Sequence, residues 1–277
     1  MDSAAGGGHL SLIEWLDANR REGCSSVAMD LAAQGGHLPV VEWLYENRAG
    51  NTTAGGVAMP RSDFVAHIPF QYAAGGGHLT VMKWLYANIC SPEDHGQEDE
   101  FTVSYPTPTI LAAGNGHLAV LEWLHHNELD FRWYDEYLPA IDVAARGGHL
   151  SVVEWLSNNG CTFFPMDWAI RMGHMSVVEW LHKHKEVFDG DGCDLYNYNF
   201  NTLYSAAKSG YLSVFEWLAA NDLRNENGSG FREQLFGNYD GIIRLLSNAE
   251  VKRHLPVVKW VLSNVLFHIT STKTLYY

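Results

Sequence analysis

One phrase of apolar and polar positions returns along the chain in a fixed order. It reads GGHLSLIEWL at 7–16, GGHLPVVEWL at 35–44, GGHLTVMKWL at 76–85 and NGHLAVLEWL at 115–124. It continues as GGHLSVVEWL at 147–156, MGHMSVVEWL at 172–181, SGYLSVFEWL at 209–218 and KRHLPVVKWV at 252–261. Count the His (Tyr in one copy) as zero and turn roughly 100° per residue. Positions +1, +3, +4, +6 and +7 then sweep an apolar arc of about 220°. Position +6 is always Trp: Trp15, Trp43, Trp84, Trp123, Trp155, Trp180, Trp217 and Trp260. Position +5 is always charged, from Glu14 to Lys259. So wide a stripe predicts a helix that touches neighbours on both sides and a partner helix as well. Only a narrow strip meets water, and the Trp lies at its border.

A shorter helix is predicted before each copy, at 1–7, 28–36, 70–77, 109–116, 140–148, 166–173, 202–210 and, in divergent form, 245–253. A pair of alanines recurs in most of these segments and lets two helices approach closely. The glycine that follows suits a left-handed helix stop. Pro69, Pro108, Pro139 and Pro165 stand just before or at the start of these helices, where a missing amide proton costs little. Each unit is therefore a short helix, a glycine turn and a longer antiparallel helix. Regular recurrence of such a unit is the signature of a stacked repeat protein.

At Thr107-Pro108-Thr109-Ile110-Leu111-Ala112-Ala113, followed by Gly116-His117-Leu118, the pattern resembles the ankyrin repeat signature TPLHLAAxxGHL. The resemblance runs from residue 1 to about 264, with residues 265–277 as a C-terminal tail. The second-helix anchors fall at 9, 37, 78, 117, 149, 174, 211 and 254. There are departures. The family's His in TPLH is Asp at Asp2, Asp30, Asp142 and Asp167, and its late Leu-Leu pair becomes Trp-Leu one place earlier. The pattern looks like the divergent ankyrin type written GHLxVVxWLH, found in some protists and giant viruses. What the resemblance implies is an all-α, ankyrin-like helix-turn-helix solenoid of about eight repeats with long inserted loops. It also implies a protein-interaction module, without naming the partner.

Anchor spacing is uneven, and the long steps carry insertions at 48–66, 88–106, 127–138, 183–201 and 221–240. Insertions in a solenoid project from one edge, commonly the binding edge. Phe131, Trp133, Tyr134, Tyr137, Tyr196, Tyr198 and Phe200 lie there, outside the repeated phrase. They are the candidate partner-binding residues, because buried aromatic anchors carry much of the energy of an interface. The competing reading is that they close small satellite cores beneath their own loops.

Composition narrows the classes. Apolar residues make up 47% and charged residues 18% of 277, enough to build a real interior. The formal charge of −14 argues against a nucleic-acid binder or a binder of anionic membranes, and it leaves room for a basic partner. No stretch approaches the ~20 apolar residues of a membrane helix. The start MDSAAGGGHL has no basic region followed by an apolar run, so it reads as neither a signal nor a transit peptide. Four cysteines without a CxxC pair point to a reduced intracellular protein, cytoplasmic first and nuclear second. Cys24 and Cys161 stand at equivalent places and read as small buried loop residues. The first repeat opens with half a helix and no polar cap, so the chain is expected to be a fragment of a longer array or to have a mis-set start. The apolar tail is expected to cover the far end.

Candidate chemistry does not converge. Seven anchor histidines, from His9 to His254, suggest a metal array, but equivalent residues in a stack lie ~10 Å apart. Zinc ligands must sit ~2 Å from one ion. Each His is expected instead to start the second helix and to hydrogen-bond across its own turn. Asp189-Gly190-Asp191-Gly192-Cys193-Asp194 departs from a calcium loop at the fifth, sixth and twelfth positions and reads as a turn. No phosphate loop, nucleophile elbow or paired carboxylates occur. The reading is a binding module and not an enzyme, with no cofactor, whose partner is another protein met on the concave face and inter-repeat loops. An adaptor presenting a bound target to a modifying enzyme such as a ubiquitin ligase is the alternative.

Overall fold

A computed structural model describes residues 1–20, 23–25, 27–48, 67–89, 107–129, 140–161, 165–188, 200–221, 239–247 and 253–273. Two units divide the chain, Met1–Ala140 and Ile141–Tyr277. Among the described residues the regular structure is helical throughout, with no strand.

The first unit holds α1 (Asp2–Gly6), α2 (Leu10–Asn19), α3 (Val27–Gln34), α4 (Leu38–Arg48), α5 (His67–Gly76), α6 (Leu79–Asn88), α7 (Pro108–Gly114) and α8 (Leu118–His126). The second holds α9 (Ala140–Gly147), α10 (Leu150–Asn158), α11 (Met166–Met172), α12 (Met175–Lys183), α13 (Phe200–Ser209), α14 (Leu212–Asn221), α15 (Tyr239–Ser247) and α16 (Leu255–Lys273). A 3-10 turn spans Lys185–Phe188. Short first helices alternate with second helices, as the phrase requires. Ahead of the last copy a helix runs Tyr239–Ser247, and 248–252 of the expected 245–253 lie outside the described residues.

The first seven hairpin turns share one construction. The anchor amide donates to the carbonyl of the first alanine of the pair: His37 to Ala32 at 2.9 Å, His78 to Ala73 at 2.8 Å, and His117 to Ala112 at 2.9 Å. The preceding glycine takes positive φ, as at Gly36 (74°) and Gly173 (74°), and closes the helix end with a left-handed residue. Thr107 caps α7 by accepting from the amide of Ile110, with Pro108 at the first helical position.

The alanine pairs set the stack. Ala32, Ala33, Ala73, Ala74, Ala112 and Ala113 are fully buried. Through them α1, α3, α5 and α7 pack side by side more closely than α2, α4 and α6 do. In the second unit α11 and α13 do the same. Positions +4 and +7 complete the core, with Val41, Leu44, Met82, Leu85, Leu121 and Leu124 in the first unit. Burial of each such side chain contributes about 1.5–3 kcal/mol. Position +3 is buried from the second pair onward, at Val40, Val81 and Val120, whereas Leu12 in the first pair is 46% exposed.

Candidate functional site

The anchor histidines bond across their own turns through the backbone amide and not through the ring. Each stands at the N-terminal cap of a second helix, yet His9, His78, His117, His149 and His174 make no capping side-chain bond. Four of the rings reach into the preceding helix pair instead. Nε2 of His37 donates to the Gly6 carbonyl (3.1 Å), and Nε2 of His78 to that of Gln34 (2.9 Å). His117 likewise bonds Gly75 (3.0 Å), and His174 bonds Arg146 (3.0 Å). A carbonyl only accepts, so these rings carry the proton on Nε2. The acceptors are carbonyls at first-helix C-termini, which have no partner within the helix. Each ring lies on the positive-φ glycine of that earlier pair. The physical reason is that glycine leaves a gap there, and a flat ring fills it.

The indoles also point to the preceding pair. Trp84 meets Tyr45 edge-on with centroids 5.3 Å apart, and Trp123 meets Tyr86 at 5.6 Å and Phe70 at 6.3 Å. In the second unit Trp217 meets His182 at 5.1 Å, and Trp260 meets Phe215 at 5.6 Å. The repeat indoles Trp43, Trp84, Trp123, Trp155, Trp180, Trp217 and Trp260 are half-buried. Trp15, in the first pair, is 55% exposed.

One recurring residue lies outside the pattern read from the sequence. Four places after each Trp stands Asn19, Asn47, Asn88, Asn127, Asn159, Asn221 or Asn264, or in one copy His184. Each asparagine Nδ2 donates to the Trp carbonyl at 2.7–2.9 Å. His184 does the same through Nδ1 at 2.9 Å. The signal is present as Trp-x-x-x-Asn, just past the end of the phrase.

Of the candidate binding aromatics, Phe131, Trp133, Tyr134, Tyr137, Tyr196 and Tyr198 lie outside the described residues. Phe200 opens α13, and its side chain is likewise outside them. The Asp-Gly loop at 189–194 and most of the insertions fall there too. Among the described residues no three His, Cys, Asp or Glu side chains converge as metal ligands. Cys161 is buried as expected, whereas Cys24 is only half-buried, because it lines an open cleft with Asp2 and Ser25.

The aspartates that replace the signature His split into two kinds. Asp2 accepts from the Ser25 amide at 3.0 Å and from its hydroxyl. Asp167 accepts from the Thr202 hydroxyl and pairs with Arg171 Nε at 2.7 Å. Burial pushes Asp30 up to about 6. Burial, with the charge of Asp167 second, pushes Asp142 up to about 6.

On the second unit the first helices carry a cationic row. Arg146, Arg171 and Lys208 each stand three residues before an anchor, where the first unit has Gly6, Gln34, Gly75 and Gly114. The Trp168 ring centroid lies 5.3 Å from the Arg146 guanidinium carbon and 5.6 Å from that of Arg171. Such contacts contribute ~0.5–1 kcal/mol each near the surface. Trp168, Arg171, Met172, Ser205, Lys208 and Arg253 line an open cleft of about 460 Å³. Charge is distributed to match. Residues 1–140 hold 6 Lys and Arg against 18 Asp and Glu, net −12, while residues 141–277 hold 12 against 14, net −2.

A family model described as ankyrin repeats in three copies matches residues 70–167 and 143–227, more than half of the chain. The chain therefore belongs to the ankyrin-repeat family. Among solved structures it is similar to the human ASB11 ankyrin repeat domain, with 19% identity, a TM-score of 0.45, and coverage of 73% of this chain and 88% of that one. No curated protein matches. Ankyrin-repeat domains are generally protein-interaction modules, and the fold is typically non-catalytic. No helix among the described residues is long and apolar enough to cross a membrane.

Proposed function

We propose that this protein is a non-catalytic module that binds another polypeptide on the concave face built by its first helices and on its inter-repeat loops. The observation that carries this reading is a division of labour within each repeat. The residues that recur serve the scaffold: the alanine pair, glycine, anchor His and Trp join helices to each other, and the Asn bonds the Trp carbonyl of its own helix. The residues that differ from repeat to repeat are exposed or half-exposed on the first helices and fill the insertions: Tyr72, Arg146, Trp168 and Lys208 among the former, Phe131, Trp133, Tyr134, Tyr137, Tyr196, Tyr198 and Phe200 among the latter. A scaffold that holds stacking constant and varies one face suits recognition.

In this reading the array counts eight repeats over 1–264, followed by a tail at 265–277, and belongs to the divergent GHLxVVxWLH type. It works inside the cell, in the cytoplasm first, without nucleic acid or a cofactor. The test is affinity capture with the full chain, followed by capture with 127–138 or 183–199 replaced by short Gly-Ser linkers. A polypeptide retained by the full chain and lost on loop replacement supports the reading. Capture of nothing in its native cell, or turnover of a substrate by the purified chain, overturns it. Co-capture of a ubiquitin-ligase subunit would favour the adaptor form.

A further inference from the structure

Resting on that reading of the protein as an interaction module, we infer that the cleft between α11 and α13 around Trp168 is a docking site for an acidic peptide segment in extended conformation. The charge of the whole chain, −14, leaves room for a basic partner, but the local chemistry is the opposite. Arg146, Arg171 and Lys208 come from successive first helices at one equivalent position, and Arg253 closes the row. Arg146, Lys208 and Arg253 are exposed.

The Asp167 carboxylate engages Arg171 on one side only. Asp167 takes Nε of Arg171 at 2.7 Å and the Thr202 hydroxyl. The terminal amino groups of Arg171 have no hydrogen-bond partner among the described residues, and Arg253 has no carboxylate partner among them. A guanidinium with terminal nitrogens to offer is suited to a carboxylate. Trp168 and Met172 supply an apolar floor beside the charges, which selects a segment carrying apolar as well as acidic side chains. The Arg146 carbonyl is tied to His174 Nε2 at 3.0 Å, so the backbone that presents Arg146 is fixed to the next helix pair.

Spacing sets the register. Packed helices lie ~10 Å apart, and an extended chain rises ~3.3 Å per residue. One helix-to-helix step therefore matches about three peptide residues. The ligand that fits carries an acidic side chain at every third position, with apolar residues between.

The experiment uses the full chain and a fluorescein-labelled peptide with glutamate at every third position and leucine or glycine between, read by fluorescence anisotropy. The same peptide with glutamine or lysine in place of glutamate is the comparison. The glutamate peptide should bind at least about tenfold tighter than either, and more weakly as salt rises. Lys208→Glu and Arg253→Glu should each weaken it several-fold, and Trp168→Ala should weaken it at both low and high salt. Lys183→Glu, an exposed charge on α12, should leave it unchanged. Equal affinity for the glutamine peptide, indifference to both reversals in the cleft, or equal loss with Lys183→Glu overturns the assignment. Equally tight binding of single-stranded DNA overturns the peptide as occupant. Failure here leaves the module reading standing, because that reading is tested by loop replacement.

Discussion

The imidazole of His78 occupies the space that a β-carbon on Gly36 would need. A Cβ added there would lie 2.6 Å from Cε1 and 2.7 Å from Cγ, close to the root of the side chain, where the ring cannot swing away. Gly36 also holds φ at 74°. Gly36→Ala should therefore lose ~1–2 kcal/mol from the left-handed backbone and a further ~1–3 kcal/mol from overpacking. Gly160 is the control, with φ at 91° and nothing within 4 Å of the point its Cβ would occupy. Gly160→Ala should show the backbone loss alone. Urea unfolding of the two variants measures the difference, and equal losses would contradict the ring-on-glycine contact.

Truncation of the indoles should divide by position. Trp123 touches Phe70 and Tyr86 of the preceding pair, so Trp123→Ala should approach the ~3 kcal/mol typical of a large core truncation. Trp15 is 55% exposed, so Trp15→Ala should cost under about 1 kcal/mol. Equilibrium unfolding midpoints compare the two.

Asp142 makes stability depend on pH. Its carboxyl is raised from 3.8 to about 6, by burial first and by the charge of Asp167 second. The folded chain then holds this proton more tightly than the unfolded chain does. That contribution is fully present below 3.8 and is lost as pH rises through about 6. Melting temperature should fall across this window for this group, and Asp142→Asn should flatten the fall and stabilise the protein at neutral pH. Asp30, raised to about 6 by burial, has the same sign. Thermal scans across the window, with each asparagine variant, provide the check.

The asparagine four places after seven of the eight repeat tryptophans should matter through its donor. Asn88 Nδ2 donates to the Trp84 carbonyl at 2.8 Å. Asn88→Asp keeps the shape and removes the donor, placing a negative charge at a helix C-terminus. The expected cost is ~1 kcal/mol, read as a shift in urea midpoint.

Much of the fold is legible in the sequence because its cause is periodic. The phrase GHLxVVxWL states which positions meet a neighbour, and the helices stand where it places them. The direction of each anchor His is not legible. A ring at a helix start can turn to its own backbone or to the pair before it, and only the empty space over a positive-φ glycine decides. The basic cleft is invisible for another reason. Arg146, Arg171 and Lys208 are 25 and 37 residues apart, and only stacking brings equivalent positions into one row.

Within each unit an anchor ring locks a helix pair to the one before it. The direct measurement is nitrogen-15 NMR of the imidazoles in the full chain, with through-hydrogen-bond coupling from Nε2 to carbonyl carbon. His37, His78, His117 and His174 should carry the neutral-state proton on Nε2 and couple to the carbonyls of Gly6, Gln34, Gly75 and Arg146. Protons on Nδ1, or couplings to carbonyls within the same hairpin, would contradict it.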